Sequence, residues 1–192
     1  LIGNLSDGLI MNNLDSFSHG QVKSKIWLCE QLEPLLPDKA NVLILGSWVN
    51  VLGFILLSRR PNSYNYVKGV DKNEDAVETA NKLCSYWFIE GIQRSICEDA
   101  NTTDSKGFDV VINCSSEHME NMSWFDNISP GTLVCIQSSN ITDANDPWFV
   151  TNPSATFESF MEKYPLNVKF AGTLPIRYND WGYDRYMVIG IK

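Results

Sequence analysis

Gly46 ends the apolar run Val42-Leu-Ile-Leu-Gly46, and Asp71 ends the next one, Tyr66-Val-Lys-Gly-Val-Asp71. A glycine turn straight after a buried strand lets backbone N–H groups approach a ligand. A carboxylate closing the following strand accepts hydrogen bonds from vicinal sugar hydroxyls. About 25 residues separate the two, with a helix-like apolar stretch between them. That is the layout of a βαβ unit holding an adenosine-type ligand. A full glycine fingerprint counted from Gly46 needs glycines where Trp48 and Val51 stand, so the pattern is partial.

Other polar residues fall at the ends of later apolar runs. Cys97-Glu98-Asp99-Ala100-Asn101 closes a third run, Asn113-Cys-Ser-Ser-Glu117-His118-Met119 a fourth, and Gln137-Ser138-Ser139-Asn140 a fifth. His118 carries an imidazole, the side chain suited to general-base work, while Glu117 beside it suits orienting a substrate ammonium or hydroxyl. Plainer roles compete: Glu117 as a first-turn acid facing a helix dipole, His118 as a partly buried helix residue, Asn113 as a strand-end turn residue. Gln137, Ser138 and Asn140 offer neutral donors and acceptors for a polar small molecule. Tyr178, Trp181, Tyr183 and Tyr186 flank the last pair of strands, as a lid, a cation–π wall or simple hairpin packing.

The elements that must position these groups follow from periodicity. Helical spacing covers 21–36, 49–60, 73–88, 117–125 and 156–164; strands are expected at 42–46, 65–71, 93–97, 108–114, 132–137, 168–172 and 185–191. Strands alternating with helices argue a mostly parallel sheet with helices on both faces. The last two strands have only the Pro-, Asn-, Asp- and Gly-rich stretch 173–184 between them, too little for a parallel crossover, so they are expected to pair as an antiparallel hairpin. The expected fold is α/β: a Rossmann-like, seven-stranded, mostly parallel sheet with an antiparallel C-terminal hairpin. With no repeat or linker, residues 1–192 read as one domain, 1–40 a cap segment with a helix and 41–192 the core.

The 192 residues are 44% hydrophobic and 20% charged, as in a folded globular chain, with a formal charge of −8. Such a balance disfavours a wide nucleic-acid footprint. Five scattered cysteines form no CxxC pair, so neither a zinc site nor a disulfide framework is expected, and a reducing cytoplasm is the natural setting. Two histidines far apart give no metal site. The apolar stretch 42–57 is interrupted by Gly46, Ser47, Asn50 and Gly53 and is too short for a membrane span.

Order and spacing together resemble the class I S-adenosylmethionine-dependent methyltransferases over essentially the whole chain. The resemblance implies a cofactor site in which Gly46, Ser47 and Trp48 pass under the methionine part. In the same scheme Asp71 and Lys72 meet the ribose, Asp99 and Ala100 the adenine, and Asn113 the amino-acid end. It places His118 and Glu117 opposite the transferred methyl, with Gln137, Ser138 and Asn140 on the acceptor side. In the segment before the core, His19, Gln21, Ser24 and Lys25 either cover this site, touching cofactor carboxylate or substrate, or serve in capping and solvation. The family's acid-x-Gly-x-Gly-x-Gly loop is reduced here to Gly46, with Gly53 inside the helix. Motifs of amino-directed nucleic-acid methyltransferases and of cytosine-5 enzymes are missing. The Gly-Ser-Trp loop, Ser-Glu-His-Met and Gln-Ser-Ser-Asn also resemble small methyltransferase-like proteins of tailed bacteriophages. The implied activity is methyl transfer to a small polar acceptor, the oligomeric state being left open. The alternatives are a non-catalytic binding module on the same fold, a nucleic-acid methyltransferase, transfer of the cofactor's aminocarboxypropyl group, and, last, a nicotinamide oxidoreductase.

Overall fold

The computed structural model describes residues 14–142 and 150–192. The cap segment expected over 1–40 is therefore described only from Leu14 onward, and its first 13 residues lie outside. Helices are α1 (His19–Leu32), α2 (Val51–Arg59), α3 (Glu74–Leu83), α4 (Ser85–Ile89), α5 (Ser123–Asp126) and α6 (Phe157–Glu162). Strands are β1 (Ala40–Leu45), β2 (Tyr64–Asp71), β3 (Gln93–Cys97), β4 (Val110–Asn113), β5 (Leu133–Ser139), β6 (Asn167–Arg177) and β7 (Gly182–Ile191).

The strands form one seven-stranded sheet in the order β3-β2-β1-β4-β5-β7-β6. The first five are parallel; β7 runs antiparallel to both β5 and β6. Side chains alternate across a strand, so an unbroken apolar run feeds two cores at once. Val42 and Ile44 of β1 join Leu28 and Leu32 of α1 and Leu52, Leu56 and Leu57 of α2 on one face. Leu43 and Leu45 face the other way, with Val111, Ile136, Trp124, Phe125 and Phe160. This is the expected architecture, a Rossmann-like sheet with flanking helices and an antiparallel terminal hairpin. Among the described residues no helix is long and apolar enough to cross a membrane.

Three expected elements differ. The helix expected over 73–88 is two helices, broken at Cys84, beyond which Trp87 packs edge-on against Phe54 at 5.6 Å. The helix expected over 117–125 is a 3-10 turn, Ser116–His118, followed by the short α5. A continuous helix needs the Glu117 carbonyl for its own chain, but Thr151 and Asn152 N–H both donate to it at 3.0 Å. Finally, most of 173–184 is strand: β6 and β7 pair from Asn167↔Ile191 to Arg177↔Gly182, leaving a turn at 178–181. Pro175 fits because β6 is the sheet edge, where a missing N–H breaks no ladder, and Arg177–Asp184 (2.7 Å) braces the hairpin.

Candidate active site

The strand order reverses between β1, whose connection leads to β2, and β4, whose connection leads to β5. Open α/β sheets leave a crevice at the carboxyl ends beside such a switch point. A cavity of about 1250 Å³ occupies it here, walled by the ends of β1 to β5, residues 15–25 at and before the start of α1, and the β6–β7 hairpin.

The loop after β1 alternates left-handed residues: Gly46 (φ 60°), Trp48 (φ 49°) and Asn50 (φ 53°). These are the positions that the Gly-x-Gly-x-Gly pattern would fill with glycine, so the turn persists although two of its glycines do not. A Cβ on Gly46 would meet Met119 Cε at 3.0 Å and Ser115 Cβ at 3.1 Å, so this glycine is also required by close packing. Asn tolerates the left-handed region, and Asn50 is further fixed by its buried side chain. Its Oδ1 accepts from Gly53 N–H (3.1 Å) as the N-cap of α2, and its Nδ2 donates to Ser95 Oγ (3.4 Å). Gly53 stands inside the helix because a Cβ there would lie 2.6 Å from Asn50 Nδ2 and Oδ1. Trp48 holds its strained φ through its backbone: its N–H donates to Asp71 Oδ2 at 2.7 Å. The half-buried indole packs beside Val49, Val51 and Ala76 on the cavity wall.

Asp71 bridges that loop and the next turn, its Oδ1 accepting from Asn73 N–H at 3.0 Å. Its carboxylate lines the cavity, and each oxygen retains a lone pair beyond the backbone donor it already holds. Beside it, Lys72 pairs with Asp99 Oδ2 at 3.1 Å, and Asp99 Oδ1 accepts from Asn101 N–H (2.9 Å). The Asn101 backbone N–H and, to a lesser degree, Lys72 hold the Asp99 carboxyl below the usual carboxylate range. Lys72, Asp99 and Ala100 all lie on the wall.

At the β4–β5–β7 end the wall changes character. Glu117, 3% exposed, forms a buried ion pair between its Oε1 and Arg185 Nη1 (2.5 Å), while Arg185 Nη2 donates to the Cys114 carbonyl at 2.8 Å. Lys25, 8% exposed, reaches the same corner from α1 and donates to Gln21 Oε1 at 2.6 Å. Burial lowers its pKa to about 8, against the opposing pull of Glu117 and Asp15. His118 is exposed on the 3-10 turn at the cavity edge. Across from it Tyr178 stacks on Trp181 (4.4 Å, 13°) and Trp181 on Tyr183 (5.9 Å, 22°).

The structure thus brings Gly46, Ser47, Trp48, Asp71, Lys72, Asp99, Ala100, Glu117 and His118 to one cavity, with Gln21 and Lys25 from the N-terminal segment. Asn113 is fully buried behind the wall, its Oδ1 accepting from Ser115 N–H. Gln137 also lies behind it, tying the sheet to α1 by donating to the Ser24 carbonyl (3.0 Å); Ser138 is buried beside it. Asn140 Oδ1 accepts from Asp184 N–H, so it braces the hairpin base. From β5, Ser139 is the residue on the wall. Tyr186 sits in the opposite core with Phe157 and Phe160, and His19 is exposed with its ring edge-on to Tyr178. Sequence reasoning passed over Arg185. The signal was a single cation heading an otherwise apolar terminal strand, where a charge must find a partner inside.

Comparison with solved structures returns this architecture repeatedly. The N-methyltransferase NodS from Bradyrhizobium japonicum aligns with a TM-score of 0.68 at 13% identity, over 92% of this chain and 99% of that one. A geranyl diphosphate C-methyltransferase from Streptomyces coelicolor, complexed with geranyl diphosphate and S-adenosyl-L-homocysteine, gives 0.69 at 10% identity, over 99% and 86%. Magnesium protoporphyrin IX methyltransferase from Synechocystis, holding S-adenosylmethionine, gives 0.62 at 13% identity, over 98% and 86%. No family model matches the sequence, and no curated protein does. Likeness at these identities defines the fold, which is that of the class I S-adenosylmethionine-dependent methyltransferases.

Proposed function

We propose that the chain is an S-adenosylmethionine-dependent methyltransferase acting on a small acceptor. The observation that carries this reading is Asp71: a carboxylate at the end of β2, clamped by the Trp48 and Asn73 N–H groups and open to the cavity. The residues fit the cofactor on grounds beyond Asp71. The loop keeps left-handed backbone at alternate residues 46, 48 and 50. A volume of about 1250 Å³ exceeds the roughly 300–1,000 Å³ of a typical single-ligand pocket, leaving room for two reactants side by side.

When bound, the cofactor supplies an electrophilic methyl group on a sulfonium. Asp71 would hold the ribose hydroxyls, the loop at Ser47 and Trp48 the methionine portion, and the Asp99–Ala100 turn the adenine. Asn113 shapes this end from behind, by holding the turn at Ser115. Methyl transfer is an in-line displacement, so the protein's contribution is alignment and removal of a proton from a neutral nucleophile. His118, on the cavity edge, accepts that proton. Glu117 acts by holding Arg185, because its Oε1 is already engaged in the buried pair. Gln137, Ser138 and Asn140 support the acceptor end from behind rather than lining it. A small acceptor is favoured over nucleic acid by the charge of −8.

Calorimetry with S-adenosylhomocysteine tests the reading directly. Saturable binding is expected; neither heat nor a thermal shift at millimolar ligand refutes it.

A further inference from the structure

The cavity is chemically divided. Its β1–β3 end is acidic, carrying Asp71 beside the Lys72–Asp99 pair. Its β4–β5–β7 end buries two cations, Lys25 and Arg185, against one buried acid, Glu117, with the half-buried Asp15 also on the wall near Lys25. Arg185 spends Nη1 on Glu117 and Nη2 on the Cys114 carbonyl. Lys25 Nζ donates to the neutral Gln21 Oε1, and no carboxylate among the described residues lies within ion-pair distance of it. Arg185 Nε and Glu117 Oε2 also lack partners among the described residues. A buried ammonium with no carboxylate in direct contact among the described residues is costly, and a chain with formal charge −8 has no general need for positive charge in its interior. That cost is recovered if an anion completes the corner.

The neighbouring wall is aromatic. Tyr178, Trp181 and Tyr183 present nearly parallel rings, and Trp181 remains 58% exposed. Tyr183 and Arg185 are two apart on β7 and so point to the same face of the sheet. The hairpin turn is registered on α1: Tyr178 Oη accepts from Gly20 N–H at 3.2 Å, and a Cβ on Gly20 would lie 2.5 Å from Tyr183 Oη. One packing contact therefore sets both the aromatic wall and the helix that carries Lys25.

We propose that the acceptor is a small organic anion with a flat, unsaturated body. Its carboxylate or phosphate docks against Lys25 and Arg185, and its plane lies along Tyr178, Trp181 and Tyr183. The inference rests on the methyltransferase reading of the same cavity and assigns that enzyme its substrate class. It also assigns Lys25 to the acceptor rather than to the cofactor's own carboxylate.

The test uses simple probes: benzoate, phenyl phosphate, neutral benzamide and non-planar cyclohexanecarboxylate, titrated by ligand-observed NMR with and without S-adenosylhomocysteine. Benzoate or phenyl phosphate is expected to bind about tenfold or more tightly than benzamide, and the better of the two names the anion. Cyclohexanecarboxylate is expected to bind more weakly than benzoate. Lys25→Gln should weaken the preferred anion about tenfold, and the exposed Trp181→Ala about threefold, with S-adenosylhomocysteine affinity unchanged within about twofold. Equal binding of benzoate and benzamide overturns the inference, as does the absence of any anion binding at tens of millimolar. A parallel loss of S-adenosylhomocysteine affinity in Lys25→Gln overturns it too, because it places Lys25 on the cofactor. If Lys25→Gln fails to fold, the probe series on the wild type and Trp181→Ala still decides. Loss of cofactor binding by the wild type would sink the enzymatic reading, while anion titration in its absence still reads the cation–aromatic corner.

Discussion

Replacing Asp71 by Ala should damage cofactor binding far more than folding. In the fold its two oxygens accept from Trp48 N–H at 2.7 Å and Asn73 N–H at 3.0 Å. Both donors are near the surface of a half-buried site, where water can replace the lost acceptor, so the stability cost is about 1 kcal/mol. In the proposed complex the same carboxylate would accept from two ribose hydroxyls. Hydrogen bonds to a charged group contribute about 1.5–3 kcal/mol each, and the two share one desolvation cost, so about 2–4 kcal/mol is lost. That is roughly a 30- to 1,000-fold rise in the Kd of S-adenosylhomocysteine, measured by calorimetry, with thermal unfolding confirming an intact fold. Asp71→Asn retains an acceptor for Trp48 N–H and should fall between. The 2′-deoxy analogue of S-adenosylhomocysteine completes a double-mutant cycle. Removing the hydroxyl should weaken binding to the wild type but cost little in Asp71→Ala. An unchanged Kd in Asp71→Ala, or equal cost of the missing hydroxyl in both proteins, refutes the assignment.

His118→Ala should lower turnover of a hydroxyl or amine acceptor by about 10²–10⁴-fold while leaving S-adenosylhomocysteine affinity unchanged; equal rates would remove it as the base. Gly53→Ala forces a Cβ against the Asn50 side chain and breaks the α2 cap, costing about 1–2 kcal/mol in urea unfolding. Glu117→Ala leaves Arg185 as an uncompensated buried cation and should cost about 3–5 kcal/mol, whereas Glu117→Met combined with Arg185→Met should recover most of it. Anion affinity should depend on pH through Lys25, which Asp15, Cys114, Glu117 and Arg185 face. Because burial lowers its pKa to about 8, the attracting charge is present below that pH and disappears above it. Benzoate binding should therefore weaken as pH rises through about 8, and the step should be absent in Lys25→Gln; an identical profile in both refutes the role.

Much of the fold was legible because burial on both faces leaves a simple mark. Runs such as Val42–Leu45 and Val110–Ile112 are continuously apolar since each alternate residue meets a different core. Asp71 and Gly46 were legible for a related reason, as the residues that close β-type runs at the carboxyl ends where the crevice opens. The break at 117–125 was not, because it depends on Thr151 and Asn152 claiming the Glu117 carbonyl from a distant segment. The extra length of β6 and β7 was hidden by turn-forming residues that an edge strand tolerates.

The alternation of strands and helices, the antiparallel ending and the placement of acids at strand ends follow from local periodicity and from the length of connections, so the chain's order of residues dictates them. Tertiary structure alone decided that Trp48 and Asn50 occupy left-handed backbone, that Gln137 and Asn113 serve packing, and that Lys25, Glu117 and Arg185 meet in one corner. Those outcomes depend on which polar groups from remote segments satisfy one another when water is removed, and no spacing along the chain encodes that.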